Sequence, residues 1–258
     1  MLSWSMNLFR IRGIQLAVHF SFFLLLAFAA QEGWQEGGWP GLWMSAGMLV
    51  AFFTCVVLHE LGHSFTAMHY GIGVRRILLM PIGGMAEMDD IPRQPTRELL
   101  ITLAGPAVNF VIAGVLWGVL VVLNPPDDDG TTYSFAGFAS ELLVWNLWMG
   151  CFNLLPAFPM DGGRILRALL AVKLPYLRAT AWAVMIGKVV AASCAIAALY
   201  YHRPLVVVLF IFIIFVGEME LRALRRRELE DAHWRAVLAR AYAASHPPPA
   251  EEPPVLAQ

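Results

Sequence analysis

An all-α polytopic membrane protein is the fold class this sequence predicts, with about six transmembrane helices and a small membrane-associated β-hairpin between the second and third. Composition is the first reason: 59% of the 258 residues are hydrophobic and 14% charged, against roughly 25% charged in soluble domains. Six apolar stretches, at about 13–31, 41–69, 98–123, 135–156, 178–201 and 204–221, come near the ~20 residues that cross a bilayer. Arg and Lys then alternate loop by loop. The formal net charge of −1 names no partner, and nothing supports nucleic-acid binding.

The first stretch, Ile14 to Ala30, is too long for the apolar core of a cleavable signal, and no cleavage site follows it. His19 within it reads as a substrate-gating residue or as a hydrogen-bonded packing residue. Trp34, Trp39 and Trp43 fit an interfacial aromatic belt.

The second span carries His59-Glu60-Leu61-Gly62-His63. One helical turn separates the histidines, so both can grip a single metal ion, with Glu60 placed as general base for water. Three uncoordinated polar groups in hydrocarbon would be costly, which makes them a functional site by default. His59 lies about 16 Å from the inner end of the span near Tyr70 at ~1.5 Å per residue, so the metal sits within the membrane toward the cytoplasm. Cys55 shares that helix face as a fourth ligand or a small buried residue.

Arg76 to Met88 holds Pro81 and Gly83-Gly84-Met85 between short apolar runs, a hairpin with an edge strand. Such an edge captures an extended peptide by strand addition, or the hairpin simply packs on the bundle. The third span carries Gly105-Pro106 and then Asn109, at the depth of His59. Its amide could hold a substrate carbonyl or oxyanion, or satisfy a carbonyl freed by Pro106.

The fourth span ends in Asn153-Leu-Leu-Pro156-Ala-Phe-Pro159-Met-Asp161-Gly162-Gly163. Two prolines forbid regular helix there. Asp161, the one acid at this level, completes the metal site or caps the next helix. Asn153 holds substrate or caps the break. Lys188 falls mid-span in the fifth stretch with no partner evident, and Asp127-Asp128-Asp129-Gly130 reads as a solvated turn.

Arg10 and Arg12 precede the first span, Arg75, Arg76, Arg93 and Arg97 follow the second, and Arg164, Arg167, Lys173 and Arg178 follow the fourth. Arg222 to Arg240 follow the last, while the loops between lack Arg and Lys save Arg203. The positive-inside rule therefore places both termini in the cytoplasm. Residues 1–221 form the transmembrane domain, 222–245 a cytoplasmic charged helix and 246–258 a disordered Pro-rich tail. Cys55, Cys151 and Cys194 all fall in spans, so no disulfide framework is implied.

Together, His59-Glu60-Leu61-Gly62-His63, Asn153 through Gly163, Gly105-Pro106 with Asn109, and Gly83-Gly84 resemble the site-2 protease family of intramembrane zinc metalloproteases, from about Gly13 to Leu221. The resemblance implies one Zn²⁺ per chain held by His59, His63 and Asp161, and water activated by Glu60. It implies cleavage of membrane-spanning regulators, such as anti-sigma or pro-sigma factors, in a bacterial or archaeal cell membrane. Neither a PDZ domain in the outer loops nor CBS domains after the last span find room in these residues. A non-catalytic metal-binding scaffold or a pseudoprotease is the alternative; no internal repeat suggests a transporter, and Glu60, which a pseudoprotease would be expected to lose, is present.

Overall fold

The computed structural model describes residues 4–81, 83–89, 93–123 and 134–245. The acidic turn at 127–130 and the Pro-rich tail at 246–258 lie outside them.

The chain opens with two strands. β1 (Ser5–Ile11) and β2 (Ile14–His19) form an antiparallel hairpin whose turn residues Arg12 and Gly13 both have positive φ, 47° and 92°, the twist that two-residue hairpin turns favour. β3 (Val74–Met80) pairs parallel with β2 and antiparallel with β4 (Gly83–Met88), in the order β1-β2-β3-β4. The expected first span thus begins late, since residues 14–19 are strand and helix starts at Phe20. A short continuous apolar run suits a central strand as well as a helix, and β1 and β3 on its two sides settle the matter. The β3–β4 hairpin was expected, but its turn lies at Pro81, and Gly83-Gly84 open β4, the sheet's edge.

Helix α1 (Phe20–His69) holds the first two expected spans, joined across a kink at Gly37 and Gly38. The chain folds back there. A Cβ built on Gly33 would lie 2.3 Å from the Gly41 carbonyl oxygen, whereas eight residues of straight helix would separate them by ~12 Å. The Phe22 and Phe53 rings also meet edge-on at 4.8 Å. His19 caps the first arm, its Nδ1 accepting from the Ser21 amide.

α2 (Pro95–Leu123) and α3 (Phe135–Asn153) follow as two further apolar helices. An irregular segment then leads to the short α4 (Asp161–Ala171), which the span pattern does not show. α5 (Tyr176–Tyr200) packs on α6 (Pro204–Ser245) around Phe158, Val184 and Leu221. The sixth span and the charged segment after it are therefore one unbroken helix. Among the described residues five helices are long and apolar enough to cross a membrane, α1 being the 50-residue hairpin.

The sheet packs on the second arm of α1. Ile14, Leu16, Val18, Ile77 and Leu79 share one core with Phe53, Val56, Val57 and Leu61. This contact has a positional consequence, because it lays edge strand β4 beside Glu60. α2 crosses the same arm closely. A Cβ on Gly62 would lie 2.8 Å from the Ala104 carbonyl oxygen, so α2 approaches α1 between the two histidines.

Candidate metal centre

His59 and His63 lie one turn apart on the buried face of α1. Asp161 is the first residue of α4 rather than its cap, which is Met160. The bend after Asn153 carries it to the histidines: Asp161 Oδ2 lies 3.3 Å from His59 Nε2 and 3.2 Å from His63 Nε2, and the two Nε2 atoms are 3.1 Å apart. A tight bend is needed, since a Cβ on Gly162 would come 2.1 Å from the Leu155 carbonyl oxygen.

The outer nitrogens decide what faces inward. His63 Nδ1 lies 2.8 Å from the Ile101 carbonyl oxygen, a group that only accepts, so Nδ1 carries the proton and Nε2 offers a lone pair. His59 Nδ1 lies 2.6 Å from Asn109 Oδ1 and donates in the same way. Asp161 Oδ2 is buried without a hydrogen-bond donor. With both imidazoles neutral, three lone-pair atoms converge, an arrangement that repels itself unless a cation is shared. Two imidazoles and one carboxylate suit zinc, and the donor set fits.

One face of α2 supports this centre. Glu98, Ile101, Thr102, Gly105 and Asn109 are buried along it at helical spacing. Gly105 clears room for the ligand, since a Cβ there would sit 2.1 Å from His63 Nε2. Asn109 is 0% exposed, and both ends of its amide are engaged: Oδ1 with His59 and Nδ2 with Asn146 Oδ1 at 3.0 Å. Asn109 thus faces His59 and Asn146, and no part of its amide is turned to the cleft in this structure. Cys55 accepts from Asn146 Nδ2 at 3.4 Å and stands outside the group of His59, His63 and Asp161.

Glu60 and Asn153 stay on the open side. Both line a cleft of about 2050 Å³, together with Gly83, Gly84 and Met85 of β4 and Asp161. Glu60 packs directly on the strand, where a Cβ at residue 84 would meet its Cγ at 2.6 Å.

Asn146 and the Arg167–Glu98 pair escaped the sequence reading, and Lys188 was read there without its partner. Asn146 is 0% exposed; its place two turns before Asn153, mid-span, was the available signal. Arg167, counted only for topology, is buried against Glu98, which is 1% exposed, through Nε at 2.8 Å and Nη2 at 2.5 Å. It also reaches Glu220 of α6 at 3.3 Å and lies over the Tyr176 ring. Lys188 pairs with Glu218 of α6, a partner thirty residues away that no local pattern shows.

The chain is similar to known proteins. The model of peptidase family M50 matches residues 47–141 and 128–194. A zinc metalloprotease of Methanocaldococcus jannaschii is 40% identical over 221 residues, 86% of this chain and 62% of its own length. The putative zinc metalloprotease Rip3 of Mycobacterium tuberculosis is 30% identical over 169 residues, 62% of this chain and 42% of its own. This chain thus spans less than two thirds of either relative. The solved site-2 protease of Methanocaldococcus jannaschii superposes with a TM-score of 0.59 at 39% identity, covering 84% of this chain and 95% of that one. With a matching family model through the histidine pair and Asp161, and that fold around them, the chain belongs to peptidase family M50.

Proposed function

We propose that this protein is an intramembrane zinc endopeptidase that cuts a membrane-tethered regulatory protein in or near its transmembrane segment. The observation that carries the reading is the meeting of three ligand atoms, one each from His59, His63 and Asp161, at a cleft that Glu60 also lines. Zinc held by those residues supplies Lewis-acid polarisation and lowers the pKa of water. The similarity to proteins named zinc metalloproteases supports the same reading.

The protein's own groups divide the remaining work. A transmembrane helix hides its amides in intrahelical hydrogen bonds and must unwind before cleavage. The free edge of β4 offers backbone partners to the unwound segment, and Gly84 brings that edge against Glu60. The Glu60 carboxylate takes the proton of the attacking water and returns it to the leaving nitrogen. Asn153, at the open end of α3, donates to the carbonyl oxygen as negative charge develops. The distribution of Arg and Lys favours cytoplasmic termini and a site toward the cytoplasm. Anti-sigma or pro-sigma factors are the substrate class that the family resemblance suggests, in a bacterial or archaeal cell membrane.

The experiment is to purify wild type, Glu60→Gln and Asp161→Ala in detergent, measure zinc content, and assay cleavage of a panel of membrane-tethered regulators. Wild type holds about one zinc per chain, Asp161→Ala holds much less, and Glu60→Gln keeps zinc while losing cleavage. Full cleavage by Glu60→Gln would refute the mechanism, and zinc-free, well-folded wild type would refute the metal site.

A further inference from the structure

We infer that Asn146 is a positioning residue: it sets the polarity of a buried amide relay, Asn146 to Asn109 to His59, that presents the His59 Nε2 lone pair to the metal. The inference rests on the metal-site reading above and adds the groups that make one ligand competent.

The relay begins at a group that cannot flip. The Leu142 carbonyl oxygen is an obligate acceptor, and Asn146 Nδ2 lies 2.8 Å from it. A carbonyl end there would set oxygen against oxygen, so the NH₂ end must face Leu142, one turn back on α3. The Cys55 sulfur, 3.4 Å from the same nitrogen, also accepts. Asn146 Oδ1 is thereby turned to Asn109, whose Nδ2 donates at 3.0 Å. Asn109 Oδ1 is turned in its place to His59 Nδ1 at 2.6 Å, and an oxygen there requires the proton on Nδ1. Each amide end thus follows from the previous one, and the last leaves Nε2 unprotonated, 3.1 Å from His63 Nε2 and 3.3 Å from Asp161 Oδ2.

Both asparagines are wholly buried, so water cannot replace a missing partner and a reversed amide would strand a donor against His59 Nδ1. A reversed Asn109 favours the opposite tautomer, whose Nε2–H points at the other ligands and opposes metal binding. His63 needs no such relay, because a backbone carbonyl faces its Nδ1 directly. The two ligands are oriented by different means, and only that of His59 can be broken by changing side chains alone. Partners of this kind commonly change metal affinity by about 10–100-fold when removed.

The test measures the zinc dissociation constant by chelator competition, and the cobalt absorption spectrum, on detergent-purified, folded protein. Variants are Asn146→Leu, Asn146→Asp, Asn109→Leu and the double Asn146→Leu/Asn109→Leu. Asn146→Leu should weaken zinc binding about tenfold or more and alter the cobalt spectrum. Asn146→Asp, buried as the neutral acid so that its hydroxyl donates to the Leu142 carbonyl and its carbonyl oxygen accepts from Asn109, should recover most of the loss even if the leucine variant folds poorly. The double variant should be no weaker than Asn109→Leu, because the effect passes through Asn109. Wild-type affinity and spectrum in Asn146→Leu, no recovery in Asn146→Asp, or additive losses in the double variant would each overturn the relay. Wild-type protein that binds no zinc would instead overturn the metal site itself.

Discussion

Gly84 of the edge strand lies against Glu60 of α1, so close that a Cβ on residue 84 would come within 2.6 Å of Glu60 Cγ and 3.3 Å of its Oε1. The strand proposed to offer backbone partners and the carboxylate proposed to move the proton are thus packed together. On the proposed mechanism a peptide pairing with β4 would be held at a fixed distance from Glu60, and orientation of that kind supplies much of a catalyst's advantage.

Replacing Gly84 with Ala should therefore push Glu60 or the strand out of place. Cleavage should fall about 10-fold or more, since misplacements near 1 Å can cost ~100-fold, while bound zinc stays near one per chain. Steady-state cleavage beside metal analysis checks this; loss of both together would mean that the whole site had shifted.

Gly105→Ala acts on the metal instead. Its Cβ would overlap His63 Nε2 at 2.1 Å, and buried helix backbone on both sides leaves little room to yield. Zinc content of the purified variant should drop well below that of wild type while far-UV dichroism stays helical.

Asn153→Ala should leave zinc binding unchanged and lower kcat by about 10²–10³, the usual effect of removing one oxyanion donor. Asn109→Ala should do the reverse and act first on metal affinity, since its amide is spent on His59. Comparing zinc dissociation constants with kcat for the two variants separates the roles.

Arg167→Met leaves Glu98 buried and unpaired, with side-chain exposures of 8% and 1% for the two partners. Removing one partner of such a pair costs about 3–5 kcal/mol. Denaturant titration in detergent should show it, and the double variant Arg167→Met/Glu98→Leu should regain much of the loss. Arg93→Ala provides the contrast. Its pairs with Glu228 and Asp231 are about half exposed, and exposed pairs contribute about 0–1 kcal/mol.

Spans and chemistry were largely legible along the chain because they depend on local features. Apolar length marks a membrane helix wherever it occurs, and the spacing of His59, Glu60 and His63 makes one helix face whatever surrounds it. The strand at 14–19 was not legible, because a short apolar run is compatible with helix until β1 and β3 flank it. The surroundings of Asn109 were hidden for a related reason. Its depth could be counted along α2, but not that α3 would cover it and that Asn146 would occupy its free end.

By itself the sequence determined the membrane class, the helix carrying the histidine pair, the break before Asp161 and the kinds of atoms able to hold a metal. These follow from hydrophobic length, helical periodicity and the fixed chemistry of side chains. Only the tertiary structure decided that Asp161 meets both histidines, that β4 rather than open solvent flanks Glu60, that Glu98, Arg167 and Glu220 tie α2, α4 and α6 together, and that Asn146 stands behind His59. Each of those contacts joins residues far apart in the chain, and their meeting depends on how the helices cross and pack, which no local pattern encodes.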